Sequence, residues 1–161
     1  MPVSELIDLS AFDLTRVVIG PDEIYKRLPH RHEMALLDAI VHYAPQDGIA
    51  IGYHDARADE FWTRGHIPGR PLMPGVLMVE SAGQLCGYYY DREMRADGKR
   101  FFGFVGLEDV RFRGTVLPGQ RLWLVAKMMK MRSNSGVFAT QGFVDGRPVY
   151  DGIIKGMVIP E

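Results

Sequence analysis

Residues 63–90 read TRGHIPGRPLMPGVLMVESAGQLCGYYY. Gly65, Pro68, Gly69, Pro71, Pro74 and Gly75 punctuate the first half too densely for a regular element. The second half has no breaker except glycine and is apolar nearly all the way round, the pattern of a helix buried on most faces. Pro74 suits the first helical turn, where a missing N–H costs no hydrogen bond. The amides of Gly75, Val76 and Leu77 are then expected to point out of the helix start into the space the loop encloses. Two groups able to move protons flank that opening: His66 in the loop, and Glu80 about a turn and a half into the helix. A carboxylate inside so apolar a helix is the strongest anomaly in the chain.

Upstream, residues 1–20 mix apolar and acidic positions without a clear period and read as an N-terminal extension packed on a single domain spanning 1–161. Pro21-Asp22-Glu23 opens a short helix through Lys26, its acidic residues favourable at a helix start. Leu28-Pro29-His30-Arg31-His32 ends it. A strand is expected over Leu36–Ala44 and another over Ile49–His54, with Asp47-Gly48 marking the hairpin turn between them. Downstream, the central helix should break near Arg95 to Gly98. Strands follow at Arg100–Phe112, Gln120–Met131, Val137–Val144 and Pro148–Ile159, separated by Leu117-Pro118-Gly119, Ser133–Gly136 and Asp145-Gly146. The order is a hairpin, one long apolar helix, then an antiparallel meander. The natural solution is an α+β fold in which one antiparallel sheet curls around one central helix, the hot-dog fold.

Bulk properties narrow the function. The chain has 161 residues, 47% hydrophobic and 24% charged, enough for one globular domain with a real core. A formal net charge of −1 leaves no electrostatic footprint for nucleic acid. The lone cysteine, Cys86, forms no internal disulfide and fits a reducing cytoplasm. The start lacks the basic region and unbroken apolar run of a signal peptide. The apolar helix carries Glu80 and Gln84, which argues against a membrane span.

The segment GHIPGRPLMPGVLMVESAGQ closely resembles the signature of the beta-hydroxyacyl-acyl-carrier-protein dehydratases of fatty acid synthesis. Those relatives carry a Gly-His-Phe-Pro-Gly loop, a Met-Pro-Gly-Val turn and an acidic residue four before a glutamine. LPHRHEMALLD, FVGLEDVRFRGTVLPGQRL and VDGRPVYDGIIKGMV resemble three further blocks of the family in the same order. The resemblance implies an enzyme that turns a 3-hydroxyacyl thioester into a trans-2-enoyl thioester. It places the catalytic histidine at His66 and the catalytic carboxylate at Glu80. Relatives that also isomerise the double bond carry aspartate there, so Glu80 favours the non-isomerising FabZ-type branch. It further implies a homodimer, often a trimer of dimers, with each site built from the histidine of one subunit and the carboxylate of the other. The partner would be an acyl carrier protein bearing a phosphopantetheine-linked acyl chain. Two departures, His32-Glu33-Met34-Ala35 and Gly103 before Phe104, bear on chain-length preference and gating.

Such chemistry suits these residues. The carbon beside a thioester carbonyl is only weakly acidic, so a base is needed, and imidazole titrates near neutrality. Backbone amides of Gly75 and Val76 can hold the enolate charge, each such donor worth roughly 10²–10³ in rate. Hydroxide leaves poorly without a proton, which Glu80 can give if burial raises its pKa. Gln84, a turn further on the same face, can orient that carboxylate or its water. Pro68, Gly69, Gly75, Val76 and Gln84 are therefore expected on the oxyanion and substrate side of the site, with Val76 and Val79 lining an acyl tunnel. No cofactor or metal is required.

Blander readings stand beside these. A histidine in a Gly/Pro loop is ordinarily just a polar loop residue, and Glu80 could be a structural acid paired with an arginine. His30 and His32 lack a third metal ligand at convincing spacing and read as loop stabilisers. Cys86 reads as core filler, and Tyr88–Tyr90 as packing with hydroxyls at the rim. Arg111 and Arg113, with Lys99 and Arg100, form either a docking patch for an acidic carrier or a solvated sheet edge. Rival functions are a hydratase or thioesterase acting on coenzyme A thioesters, and a non-catalytic acyl-binding homologue.

Overall fold

The computed structural model describes residues 4–94 and 101–160. The break expected at Asp97-Gly98, with Lys99 and Arg100 of the basic patch, lies outside the described residues. A short helix α1 (Pro21–Arg27) precedes strands β1 (Ala39–Ala44) and β2 (Ile49–Asp55). The long helix α2 (Gly75–Glu93) follows, then β3 (Phe101–Phe112), β4 (Arg121–Arg132), β5 (Ser135–Val144) and β6 (Arg147–Ile159). The six strands form one antiparallel sheet in the order β1-β2-β4-β5-β6-β3 around α2. That is the expected hot-dog arrangement.

One expectation about the sheet needs correcting. The last four strands do not form a simple meander, because β3 pairs with β6 at the far edge and leaves β2 to pair with β4. Two right-sized strands joined by a turn look like a hairpin in sequence, but period-2 patterning carries no information about which neighbour a strand chooses. The chain thus leaves the sheet after β2 and returns beside it at β4. At that point Ala56 N–H donates to the Gln120 carbonyl (3.0 Å), and Gly119 N–H donates to the Ala56 carbonyl (2.7 Å).

The first strand also starts later than its apolar run. The amides of Leu36 and Leu37 donate to the side chains of Gln84 and Tyr25, at 3.0 Å each, rather than to a neighbouring strand. In the β1–β2 turn, Pro45–Asp47 forms a single 3₁₀ turn and Gly48 takes a left-handed φ of 71°. A side chain would be strained there.

Helix α2 is buried from Met78 to Asp91 apart from Glu80. Its Met78, Ala82, Leu85, Cys86 and Tyr89 share one core with Ala50, Leu124, Phe138, Tyr150 and Ile154 from the concave side of the sheet. Cys86 is core filler, as expected. The three tyrosines differ from expectation: all are buried rather than at a rim. Tyr89 and Tyr90 donate to the carbonyls of Pro45 (3.3 Å) and Arg132 (3.0 Å), while the Tyr88 hydroxyl accepts from Arg92 (3.1 Å). Asp91 is reached by Arg27 Nη1 at 3.0 Å, which ties α1 to α2.

The opposite face of the sheet is apolar too. Val41, Ile51, Val125 and Phe143 form a second cluster there, covered by Ile7, Leu9, Phe12 and Leu14 of the N-terminal segment. Gln141 clips that segment in place, accepting from the Leu6 amide (2.7 Å) and donating to the Ser4 carbonyl (3.1 Å).

Candidate active site

Glu80 stands at the head of an apolar cavity of about 310 Å³. Gly83 and Gly87 repeat along its face of α2, and Leu28, Phe101–Phe104 and Ile159 supply the walls. The small residues let the walls come close. The Phe104 ring sits within 2.0 Å of where a Cβ on Gly83 would stand, so glycine is what allows an aromatic ring to rest on the helix backbone. At Gly103 the same space is taken by Ile159, whose Cδ1 lies 2.2 Å from a notional Cβ.

The carboxylate is held from two sides. His30 Nε2 lies 3.2 Å from Glu80 Oε1, and Gln84 Nε2 donates to the same oxygen at 3.1 Å. The hydrogen bond from His30 holds Glu80 below the usual carboxylate range; burial opposes it, and Gln84 reinforces it. The expected rise in pKa is therefore reversed in this structure. Burial still raises the carboxyl, but His30 and Gln84 favour the ionised form and outweigh it. No arginine pairs with it among the described residues.

Gln84 is 1% exposed and fully engaged. Its Nε2 also donates to the Met34 carbonyl at 2.7 Å, while Oε1 accepts from the Leu36 amide at 3.0 Å and faces the Tyr25 hydroxyl at 3.1 Å. One side chain thus fixes both the carboxylate and the segment that carries His30. In sequence that segment reads as loop stabilisation, a reading that misses His30 beside Glu80. Its approach to Glu80 is a tertiary contact with no trace in local spacing.

His66 lies elsewhere in the chain's surface, half-buried in the loop before α2. Its amide donates to the Trp62 carbonyl (2.8 Å), and its own carbonyl accepts from the Leu72 amide (2.9 Å). Nδ1 is 2.8 Å from the Leu72 carbonyl oxygen. A carbonyl only accepts, so Nδ1 carries the hydrogen, and in the neutral ring Nε2 keeps the free lone pair. The cavity that Glu80 lines does not include His66.

The helix start differs in detail. Pro74 is the residue before the first turn, not within it, and Leu77 N–H donates back to the Pro74 carbonyl at 2.9 Å. Of the three amides expected to point outward, Leu77 is therefore occupied, and Gly75 and Val76 precede it. Pro68 and Gly69 are exposed in the loop, and Gly69 has a φ of 78°. Val76 is 70% exposed and Val79 faces the core, so neither lines the Glu80 cavity within one chain. Arg111 and Arg113 line one shallow depression, where Arg113 pairs with Asp151.

The profile of the FabA-like domain matches residues 28–153, nearly the whole sheet and all of α2. The chain belongs to the FabA-like family. A 3-hydroxyacyl-[acyl-carrier-protein] dehydratase FabZ from Agrobacterium fabrum is 34% identical over 152 residues, covering 92% of this chain and 97% of the relative. The FabZ dehydratase of Campylobacter jejuni strain RM1221 is 33% identical over 140 residues, covering 85% and 95%. Among solved structures, the dehydratase heterocomplex ApeI:P from Xenorhabdus doucetiae superposes with a TM-score of 0.73 at 17% identity, covering 91% of this chain and 94% of that one. A hypothetical thioesterase with coenzyme A from Streptococcus pneumoniae reaches 0.55 at 10% identity, covering 76% and 85%. At those identities the two structures speak for the fold of this FabA-like chain alone. Among the described residues, no helix is long and apolar enough to cross a membrane.

Proposed function

We infer that this chain is a 3-hydroxyacyl-[acyl-carrier-protein] dehydratase, a hydro-lyase that removes water from the substrate to give the trans-2-enoyl thioester. The observation that carries the reading is Glu80, a carboxylate gripped by His30 and Gln84 at the mouth of an apolar cavity. An acyl chain fits such a lining, and a proton donor belongs at its polar end.

His66 acts as the base. Its Nε2 lone pair takes the proton from the carbon beside the thioester carbonyl, and the freed electron pair forms the new double bond as the C–O bond at the next carbon breaks. The Gly75 and Val76 amides hold charge on the thioester oxygen. The departing hydroxide leaves as water with a proton from Glu80. Glu80 rests ionised, so it must take up a proton before that step; an acyl chain that expels water from the cavity removes hydration from the carboxylate and favours its acid form. Pro68 and Gly69 shape the loop on the substrate side.

One chain leaves His66 outside the cavity of Glu80, which supports a site shared between two subunits. The edge strand β3 exposes Val105, Leu107 and Phe112, and among the described residues no strand lies beyond it. A homodimer joined along that edge continues the sheet and covers its unpaired backbone, with His66 of one protomer serving Glu80 of the partner subunit. Trimers of such dimers are compatible with this pairing. The acyl group arrives on the phosphopantetheine arm of an acyl carrier protein, and the exposed Arg111 offers the acidic carrier a positive charge.

The test is turnover of a medium-chain 3-hydroxyacyl carrier protein followed by enoyl absorbance, with His66→Ala and Glu80→Gln alongside. Each variant is expected to lose about a hundredfold or more in kcat. Release of free thiol instead of enoyl product would mean a thioesterase. Tight acyl binding without turnover would mean a binding protein.

A further inference from the structure

The loop that carries His66 is tied to the sheet by a buried histidine that the acid–base chemistry does not use. His54 lies near the end of β2 and is 1% exposed. Its Nδ1 is 3.1 Å from Asp38 Oδ2, and its Nε2 is 2.7 Å from Glu60 Oε1. Neither contact has the in-line geometry of a full hydrogen bond, but a neutral imidazole would bring a lone pair toward one of these carboxylates, so the pair of contacts calls for a charged ring between them. Arg57 adds a second cation, 3.7 Å from Asp38 and 3.9 Å from Glu60. His32, Glu33 and Asp59 line the small cavity on the open side of the cluster. Burial acts against a charged ring here, yet Asp38 and Glu60 outweigh it and push His54 up to about 9. In turn, His54 keeps both carboxylates low despite their own burial.

The cluster does not end at Glu60. The other carboxylate oxygen, Oε2, accepts from Trp62 Nε1 at 2.5 Å. Trp62 is 3% exposed, and its carbonyl accepts the His66 amide at 2.8 Å. The Thr63 hydroxyl closes the same turn onto the Glu60 carbonyl at 2.8 Å. An unbroken series of polar contacts therefore runs from the sheet, through Glu60 and Trp62, to the backbone of the candidate base.

We propose that His54 is a positioning residue for His66: as an imidazolium it grips Glu60 and so sets the attitude of the loop from Arg57 to His66. It touches no substrate and acts only through Glu60 and Trp62. Its catalytic consequence rests on His66 being the base, whereas its hold on the loop does not.

Both parts are measured on the full chain with His54→Gln, Trp62→Phe and His66→Ala. One readout is kcat and KM for dehydration; the other is hydrogen exchange at the His66 amide by NMR. His54→Gln is expected to lower kcat about tenfold or more at neutral pH with KM within about twofold, because a base out of line costs rate rather than binding. Exchange at the His66 amide should quicken about tenfold or more as its loop loosens. Trp62→Phe keeps an aromatic side chain but removes the N–H that meets Glu60 together with part of the buried indole, and should reproduce part of both effects. A further mark is the alkaline limb of kcat: wild-type kcat should fall as pH rises through about 9, and that fall should be missing in His54→Gln. Wild-type kcat and exchange in a folded His54→Gln overturn the proposal. Should His54→Gln not fold, Trp62→Phe decides, and unchanged kcat and exchange there overturn it equally. If His66→Ala turns over normally, the base assignment fails, and amide exchange alone still decides whether His54 holds the loop.

Discussion

His30 Nε2 stands 3.2 Å from Glu80 Oε1, so the carboxylate of the central helix is met by a side chain from the segment leading into the sheet. His30 Nδ1 is buried without a hydrogen-bond partner among the described residues, and the Phe101 ring packs edge-on against the imidazole at 5.9 Å. The ring is thus placed by packing on one side and by Glu80 on the other.

Removing that ring tests what keeps Glu80 ionised. In His30→Ala the main donor is gone while burial and the Gln84 bond remain, so the Glu80 pKa should rise from its depressed value. Carboxyl carbon NMR across an acid titration reads this directly. A titration that stays in place, or moves down, would show that His30 does not govern the charge.

Gln84 should matter more for stability than its neutral side chain suggests. Gln84→Leu strands the Leu36 amide and the Met34 carbonyl in a buried setting. With each of these two unsatisfied groups costing roughly 1–3 kcal/mol, the expected loss is about 2–6 kcal/mol. Urea unfolding should show it as a lower midpoint at unchanged slope. A loss under about 0.5 kcal/mol would mean that water or a local shift replaces the network.

Stability should also depend on pH through His54. Its folded pKa, about 9, is raised above the ordinary 6.5, so its contribution is full below 6.5 and is lost as pH rises through 9. Asp38 and Glu60 are shifted the other way, so their contribution is present above the ordinary 3.8 and 4.5 and is lost as pH falls through their lowered values. The advantage of wild type over His54→Gln should therefore be greatest between about 4.5 and 6.5 and shrink toward pH 9. Chemical denaturation at several pH values measures the gap. A gap that widened above pH 7 would contradict an imidazolium at this place.

Much of this fold could be read from residues alone. The breaker-dense stretch from Gly65 to Gly75 announces the loop, and the apolar run after it announces a helix with a sheet to bury it. Turn residues such as Asp145-Gly146 mark where strands end. Strand order is different, since β3 chooses β6 by long-range packing that no local pattern encodes. The site shows the same division. His66 and Glu80 stand out by loop chemistry and by a charge in an apolar helix, while His30 shows only once the chain has folded. His54 did leave a signal: it alternates with Ala50 and Gly52 on the face of β2 that turns toward the helix. A histidine on an inward face needs partners, and Asp38 and Glu60 flank it in sequence.

The joint where Ala56 meets Gly119 and Gln120 has a consequence for how the molecule can change. Between those residues the chain passes through the His66 loop, α2 and β3 before it returns to β4, while β2 and β4 are bonded directly to each other. Closing so long an excursion costs little more than closing a short one, because the entropy grows only with the logarithm of length. The loop that carries His66 can therefore lengthen or shorten at little entropic cost, while α2 and β3 stay held by the core and by β6. The joint is, in this sense, a fixed collar from which the His66 loop departs.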